Sequence, residues 1–468
     1  MAARTILSGD VVVGLGFGDE GKGTTVDHLV RHHRSAGVVR FGGGPQATHH
    51  VVLPDGRWHG FSQLGAGTFV PGVVTHLTRD VLVEPVNLLA EDARLREHGV
   101  HDALARLTID PRATLILPYH KMTGQLAELA RGGDRHGSVG LGVGEAARER
   151  DHGTALRLED ARDRARLRAR IGDAISERLA HAEAVVDGDE AHERLAHFRG
   201  ELDADRLTRI LHGFVTGYAA MLQPDEARVP ALLGGAAPAV MEGAQGALLD
   251  PVAGFPPYVT KTPATPALAE ALLAGRAHRL RRVGVLRAYA HRHGPGPLPS
   301  EDATLTARLL ESHNVWNRWQ GGFRVGPLDL VLARYAAVVA GAEVLALTCL
   351  DRLGDTGELR VVSSYRHPGP AAPWWDAAFA WRSLPSGEVA IDAVRVGGAD
   401  VTRVLESCRP GAELRLAGWT GELRGARTLA DLPAGARALV ELLASPQGVG
   451  VPVAMVSIGP TWQDKLVL

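Results

Sequence analysis

The segment Gly14-Leu15-Gly16-Phe17-Gly18-Asp19-Glu20-Gly21-Lys22-Gly23-Thr24 constrains the fold of this chain more than any other stretch. It follows Val11-Val12-Val13, a β-branched apolar run that reads as a buried strand. It precedes residues 25–34, where Val26, Leu29 and Val30 have helical spacing. Strand, glycine loop, lysine and helix in that order make a phosphate site, because N–H groups at a helix N-terminus face the anion and glycines let it approach. Gly16 to Lys22 fits G-x-x-x-x-G-K, but Gly23 stands where an ordinary P-loop has Ser or Thr, and a hydroxyl comes one residue late at Thr24. A dinucleotide reading of Gly14-Leu15-Gly16 is weaker, since Asp19 and Glu20 put two carboxylates where pyrophosphate would rest. A carboxylate in such a cradle needs a role, either as a Mg²⁺ ligand or as a base beside a phosphoryl donor.

Elsewhere strands and helices alternate. Gly37-Val38-Val39-Arg40-Phe41 reads as a second strand, and residues 51–59 read as a hairpin around Pro54-Asp55-Gly56. Further strands are expected at 114–117, 240–242, 283–286, 344–347 and 453–456, with helices near 266–275, 328–340 and 434–445. The Arg-, Glu- and Ala-rich stretch 156–222 predicts a helical insertion with a solvated charged face. This alternation predicts an α/β fold with a large, mostly parallel central sheet and flanking helices. A length of 468 residues gives a prior of about three domains, but no repeat or linker breaks the pattern, so one domain over 1–468 is expected.

Composition narrows the function class. A formal charge of -2 gives no net electrostatic reason to bind nucleic acid or an anionic membrane. No stretch approaches the roughly 18 apolar residues of a membrane span. Met1-Ala2-Ala3-Arg4-Thr5-Ile6 lacks the apolar core of a signal peptide. The two cysteines, Cys349 and Cys408, fit a reducing cytosol better than a disulfide framework. A cytoplasmic enzyme acting on small molecules is expected.

Several motifs, taken in order, resemble those of adenylosuccinate synthetases. Gly18-Asp19-Glu20-Gly21-Lys22-Gly23 is similar to that family's signature loop, and Gly43-Gly44-Pro45-Gln46-Ala47-Thr48-His49-His50 to its G-G-H-N-A-G-H-T. Glu242-Gly243-Ala244-Gln245-Gly246-Ala247-Leu248-Leu249-Asp250, Pro257-Tyr258-Val259-Thr260 and Gly294-Pro295-Gly296-Pro297-Leu298-Pro299-Ser300-Glu301 resemble E-G-A-Q-G-x-L-L-D, P-Y-V-T and G-x-G-P-F-P-T-E. Leu347-Thr348-Cys349-Leu350-Asp351 resembles L-T-K-L-D, and Ser457-Ile458-Gly459-Pro460 resembles the closing S-x-G-P.

The resemblance implies a homodimeric ligase in which GTP (or ATP) with Mg²⁺ phosphorylates the 6-oxygen of IMP and the amine of L-aspartate displaces the phosphate. It makes Asp19 the base, His49 the general acid, and Lys22 the group that spreads phosphate charge. Gly18, Glu20, Gly21, Gly23, Thr24, Asp351, Ser457 and Gly459 would contact the donor nucleotide. Gln46, Ala47, Ser138, Val139, Gln245, Thr260 and Arg324 would contact the other substrates, and Asp19 and Thr48 the metal.

The acceptor and amine ends depart from the family pattern. Val139 stands where the glycine loop T-T-G-R-G has a second threonine. Gly153 aligns with an arginine that reaches the neighbouring subunit's site, leaving Arg148, Arg150 and Arg157 as stand-ins. The carboxylate-reading loop T-T-G-R-R-R-R becomes Arg318-Trp319-Gln320-Gly321-Gly322-Phe323-Arg324, with Arg324 as the retained member. Arginine suits that task because its planar fork pairs both carboxylate oxygens. Cys349 replaces a lysine whose stem covers the base. These departures point to a specialised relative with an altered acceptor and amine; an ordinary adenylosuccinate synthetase, a kinase-like phosphotransferase and a non-catalytic nucleotide-binding paralogue are the alternatives.

Overall fold

The computed structural model describes residues 6–311 and 313–468. Residues 1–5, which carry most of the segment read as lacking a signal peptide, lie outside the described residues. Among the described residues, nine strands build the central sheet. In chain order they are β1 (Leu7–Gly14), β2 (Gly37–Arg40), β3 (Val74–Leu77), β4 (Leu107–Ile109), β5 (Val240–Gly246), β6 (His278–Arg287), β7 (Val344–Thr348), β8 (Val453–Ser457) and β9 (Lys465–Val467). They lie in the order β9-β8-β7-β6-β1-β5-β2-β3-β4. Every neighbouring pair is parallel except β8 with β9.

The valines of β1 explain its central place. Val11 and Val13 join one hydrophobic cluster and Val12 the other, as alternating side chains must when both sheet faces are covered. Helix α1 (Lys22–His33) follows directly, as the helical spacing predicts. Helices α2 (Pro118–Ala130) and α3 (Val143–Asp151) flank a glycine-rich loop. The stretch expected as an insertion forms α4 (Arg164–Val185), α5 (Asp189–Glu201) and α6 (Ala204–Gly217). Leu167, Ile171, Phe198, Leu211 and Phe214 from these helices pack into the cluster that holds Val12.

One expected strand is shorter than its apolar pattern suggests. Within 114–117 only Thr114–Leu115 is a strand, paired with Leu82–Val83 outside the central sheet, because Pro118 opens α2 at its first position. The parallel strands send their C-terminal ends to one edge of the sheet, where ligands bind in open α/β folds.

Candidate active site

At that edge the chain leaves β1 through Gly18, Asp19 and Gly21, at φ 87°, 59° and 92°, before α1 begins. These left-handed positions separate the two acidic side chains. Glu20 is fully buried; its carboxylate accepts the Gly18 N–H at 2.8 Å and pairs with Lys22 Nζ at 2.6 Å. Glycines make its space: a Cβ on Gly14 would lie 2.0 Å from Glu20 Oε2, and one on Gly246 2.3 Å from Oε1. Burial opposes its charge, but Lys22 and then His291 hold its pKa below the usual carboxylate value. Glu20 therefore braces the loop from within, while Asp19 faces the cleft beside Lys22. From β6, Arg287 Nε donates to the Asp19 carbonyl at 2.5 Å, and His291 bonds the Gly18 carbonyl. Glu311 and the Tyr289 hydroxyl hold the rest of the Arg287 guanidinium.

His49 opens a hairpin of His49–Val52 with Trp58–Phe61, where the turn residues predicted one. Its Nδ1 bonds the Glu242 carboxylate, and Nε2 lies 3.0 Å from the Ala244 carbonyl. Glu242 is buried on β5, in register with Arg40 of β2, and accepts the Ala66 N–H at 3.0 Å. Against burial, Arg40 and His49 keep Glu242 below its usual pKa. Burial pulls the His49 pKa down, and Glu242 opposes it.

Asp19, Lys22, His49 and Arg287 line a cavity of about 420 Å³, which shares wall residues with a second of about 180 Å³. Gly18, Asp19, Gly21, Lys22 and Gly23 form one wall of the larger, with Ala47, Thr48 and His49 beside them. Ser138 and Thr260 line the smaller; Gln46, Val139 and Gln245 line both. At the junction both polar atoms of the Gln46 amide and Gln245 Oε1 are buried without a hydrogen-bond partner among the described residues. An unpaired buried polar group costs about 1–3 kcal/mol, so these amides are set to meet a ligand.

Thr24, Asp351, Ser457 and Gly459 meet elsewhere on the same edge. β7 and β8 are neighbours, with Leu347 opposite Val456, so the turns after them carry Asp351 and Gly459 side by side. Lys465 links them: Nζ donates to the Gly459 and Thr461 carbonyls at 3.1 and 2.9 Å, and its charge acts on Asp351. Burial pushes its pKa down to about 8. Thr24 Oγ1 donates to the Pro460 carbonyl at 3.0 Å, and Ser457 Oγ is buried without a partner among the described residues. Burial raises the pKa of the Cys349 thiol, which fits packing rather than redox chemistry.

Arg324 lines neither cavity. It donates to the Gly294 and Gly296 carbonyls and pairs with Glu301 at 2.7 Å. Among the stand-in arginines, Arg148 reaches the smaller cavity but pairs with Glu145 at 2.5 Å, and Arg150 pairs with Asp151 at 3.0 Å. Arg157 lies 3.9 Å from Glu159. Lys261, Arg287 and Arg292 line the cleft without having been singled out in the sequence.

Among the described residues no three His, Cys, Asp or Glu side chains gather into a metal cage. One carboxylate, Asp19, with Thr48 on the same cavity suits Mg²⁺, which typically binds one or two carboxylates plus substrate phosphates.

A family model of adenylosuccinate synthetase matches residues 11–466. The chain belongs to the adenylosuccinate synthetase family. It is 34% identical to the adenylosuccinate synthetase of Alkalilimnicola ehrlichii over 471 residues, covering 98% of this chain and 97% of that one. Identity to the Moorella thermoacetica enzyme is 31% over 469 residues, covering 98% of each. Among solved structures, the fully ligated adenylosuccinate synthetase of Plasmodium falciparum superposes with a TM-score of 0.79 at 19% identity, covering 99% of both chains. The cyanophage S-2L succinoaminodeoxyadenylate synthetase, bound to dGMP and to dATP as its energy donor, gives 0.56 at 16% identity, covering 99% of this chain and 96% of that one. The mostly parallel sheet is thus the adenylosuccinate synthetase fold. The chain is an enzyme of the ligase class that forms C–N bonds, in a family that uses GTP as phosphoryl donor with Mg²⁺.

Proposed function

We propose that the chain transfers the γ-phosphoryl group of GTP, or alternatively ATP, to the oxo group of a 6-oxopurine nucleotide such as IMP. An amine such as L-aspartate then displaces the phosphate. The observation that carries this reading is the cavity holding Asp19, Lys22 and His49, with the Gln46 amide and Gln245 Oε1, unpartnered among the described residues, at its junction with the smaller cavity. In the first step Asp19 accepts the N1 proton, the O6–phosphorus bond forms and the bond to the bridging oxygen breaks. In the second, the amine nitrogen bonds C6, the C6–O6 bond breaks, and inorganic phosphate leaves with the proton that the amine gives up. Lys22 offsets phosphate charge, and His49 Nε2 exchanges the Ala244 carbonyl for a phosphoryl oxygen while Glu242 holds Nδ1. Asp19 and Thr48 would hold Mg²⁺, which would supply charge neutralisation for the phosphates.

The orientation of Arg324 supports a specialised relative, because the arginine expected to read an amine's carboxylate is bonded to Glu301 and two carbonyls instead. A kinase-like transferase without ligation is not favoured, since ligases match along nearly the whole chain. A homodimer in the cytoplasm completes the proposal; no described helix is long and apolar enough to cross a membrane. The test is incubation with Mg²⁺, GTP or ATP, IMP and a panel of amines including aspartate, following phosphate release and adduct mass. A C–N adduct formed faster with another amine than with aspartate is expected. Adenylosuccinate at a rate ordinary for the family would sink the specialised reading. Turnover retained in Asp19→Ala would refute the mechanism.

A further inference from the structure

The smaller cavity holds more positive charge than its carboxylates neutralise. Arg131, Arg148, Lys261 and Arg292 line it against Glu128 and Glu145. Arg131 pairs with Glu128 at 2.6 Å and Arg148 with Glu145 at 2.5 Å. Arg292 is buried, donates to the Pro295, Pro297 and Tyr258 carbonyls, and stacks 4.0 Å from the Phe17 ring centroid. Those partners carry no full charge, so the guanidinium leaves a positive field at the cavity wall. Lys261 is exposed at the mouth and forms no ion pair among the described residues. Its stem runs along the first turn of α3, where a Cβ on Gly144 would lie 3.4 Å from Lys261 Cγ. The ammonium, the Ser138 and Thr260 hydroxyls and the positive end of α3 thus border one space.

We infer that Lys261 binds the phosphate of the acceptor nucleotide, supplying from the same chain a charge that the ion-paired Arg148 does not. This rests on the acceptor proposed above. The Gln46 and Gln245 amides meet the middle of that molecule while its oxo group lies toward Asp19, so its anionic tail enters the smaller cavity. The test compares binding of IMP and inosine by calorimetry for the wild-type chain, Lys261→Ala and Lys261→Arg. Loss of a charge-assisted hydrogen bond predicts IMP affinity roughly ten- to a hundredfold lower in Lys261→Ala, with inosine affinity unchanged and Lys261→Arg largely restored. Equal IMP affinity in Lys261→Ala, or an equal loss for inosine, overturns the assignment of Lys261. A wild-type chain that binds IMP no better than inosine overturns the acceptor reading itself.

Discussion

Replacing Glu242 with Gln would keep the size of the side chain and remove the charge facing His49 Nδ1. Glu242 opposes the effect of burial on that ring, so its loss lowers the His49 pKa further and reduces the protonated fraction at any given pH. Glu242→Gln is expected to lower kcat by roughly 10²–10⁴-fold, the usual worth of a general acid, with the loss growing as pH rises. A pH–kcat profile checks this; kcat within threefold of wild type would remove His49 from proton transfer. Asp19, Lys22 and His49 were legible because each sits inside a motif. The role of Glu242 was not, since 193 residues separate it from His49 and only the pairing of β5 with β2 brings them together. Nothing in the sequence marks Lys261, a lone lysine after Thr260 with no pattern around it. For Arg324 the residue type was readable but its direction was not: Glu301 and two carbonyls claim it.

Helix α1 begins Lys22-Gly23 where an ordinary P-loop has a hydroxyl, and packing explains the difference. A Cβ at Gly23 would lie 2.7 Å from the His50 carbonyl oxygen and 2.9 Å from His49 carbonyl carbon. The first turn of α1 therefore rests on the hairpin backbone that presents His49, and only glycine allows that approach. Alanine there gains about 1 kcal/mol of helix propensity but meets a contact that costs about 1–3 kcal/mol if the backbone must shift. Gly23→Ala is expected to lower both the thermal midpoint and kcat, the latter at least tenfold through displacement of His49. A more stable variant with full activity would show that the hairpin moves aside freely. The same dependence on tertiary partners limited which elements the sequence revealed. β1, β2 and β5 to β8 carry apolar or β-branched runs and were readable. β3 and β4 carry His76 and Thr108 at buried positions, acceptable because the His76 ring bonds Thr108 Oγ1 and Asp225 Oδ1, both at 2.9 Å.

The helices of 156–222 either fold with the sheet or beside it. Leu167, Ile171, Phe198 and Phe214 share a hydrophobic cluster with Val12 of β1, the strand that launches the phosphate loop. Two surface contacts tie the same helices to the loop at the cleft: Arg318 pairs with Glu190, and Arg194 lies 5.3 Å from the Trp319 ring centroid. These links favour one cooperative unit, and the distribution of tryptophan makes the idea testable without altering the chain. All eight tryptophans lie outside 156–222, so their fluorescence follows chiefly the rest of the fold, whereas far-UV circular dichroism also includes the inserted helices. The two probes are expected to trace one coincident unfolding transition. GTP, Mg²⁺ and IMP together at about a hundred times their dissociation constants should move both curves upward, since a ligand at that excess adds about 2.7 kcal/mol to whatever unfolds with its site. If the dichroism instead splits and its lower step ignores the ligands, the helices form a separate domain. The contacts at Glu190 and Arg194 would then be adjacency without shared stability.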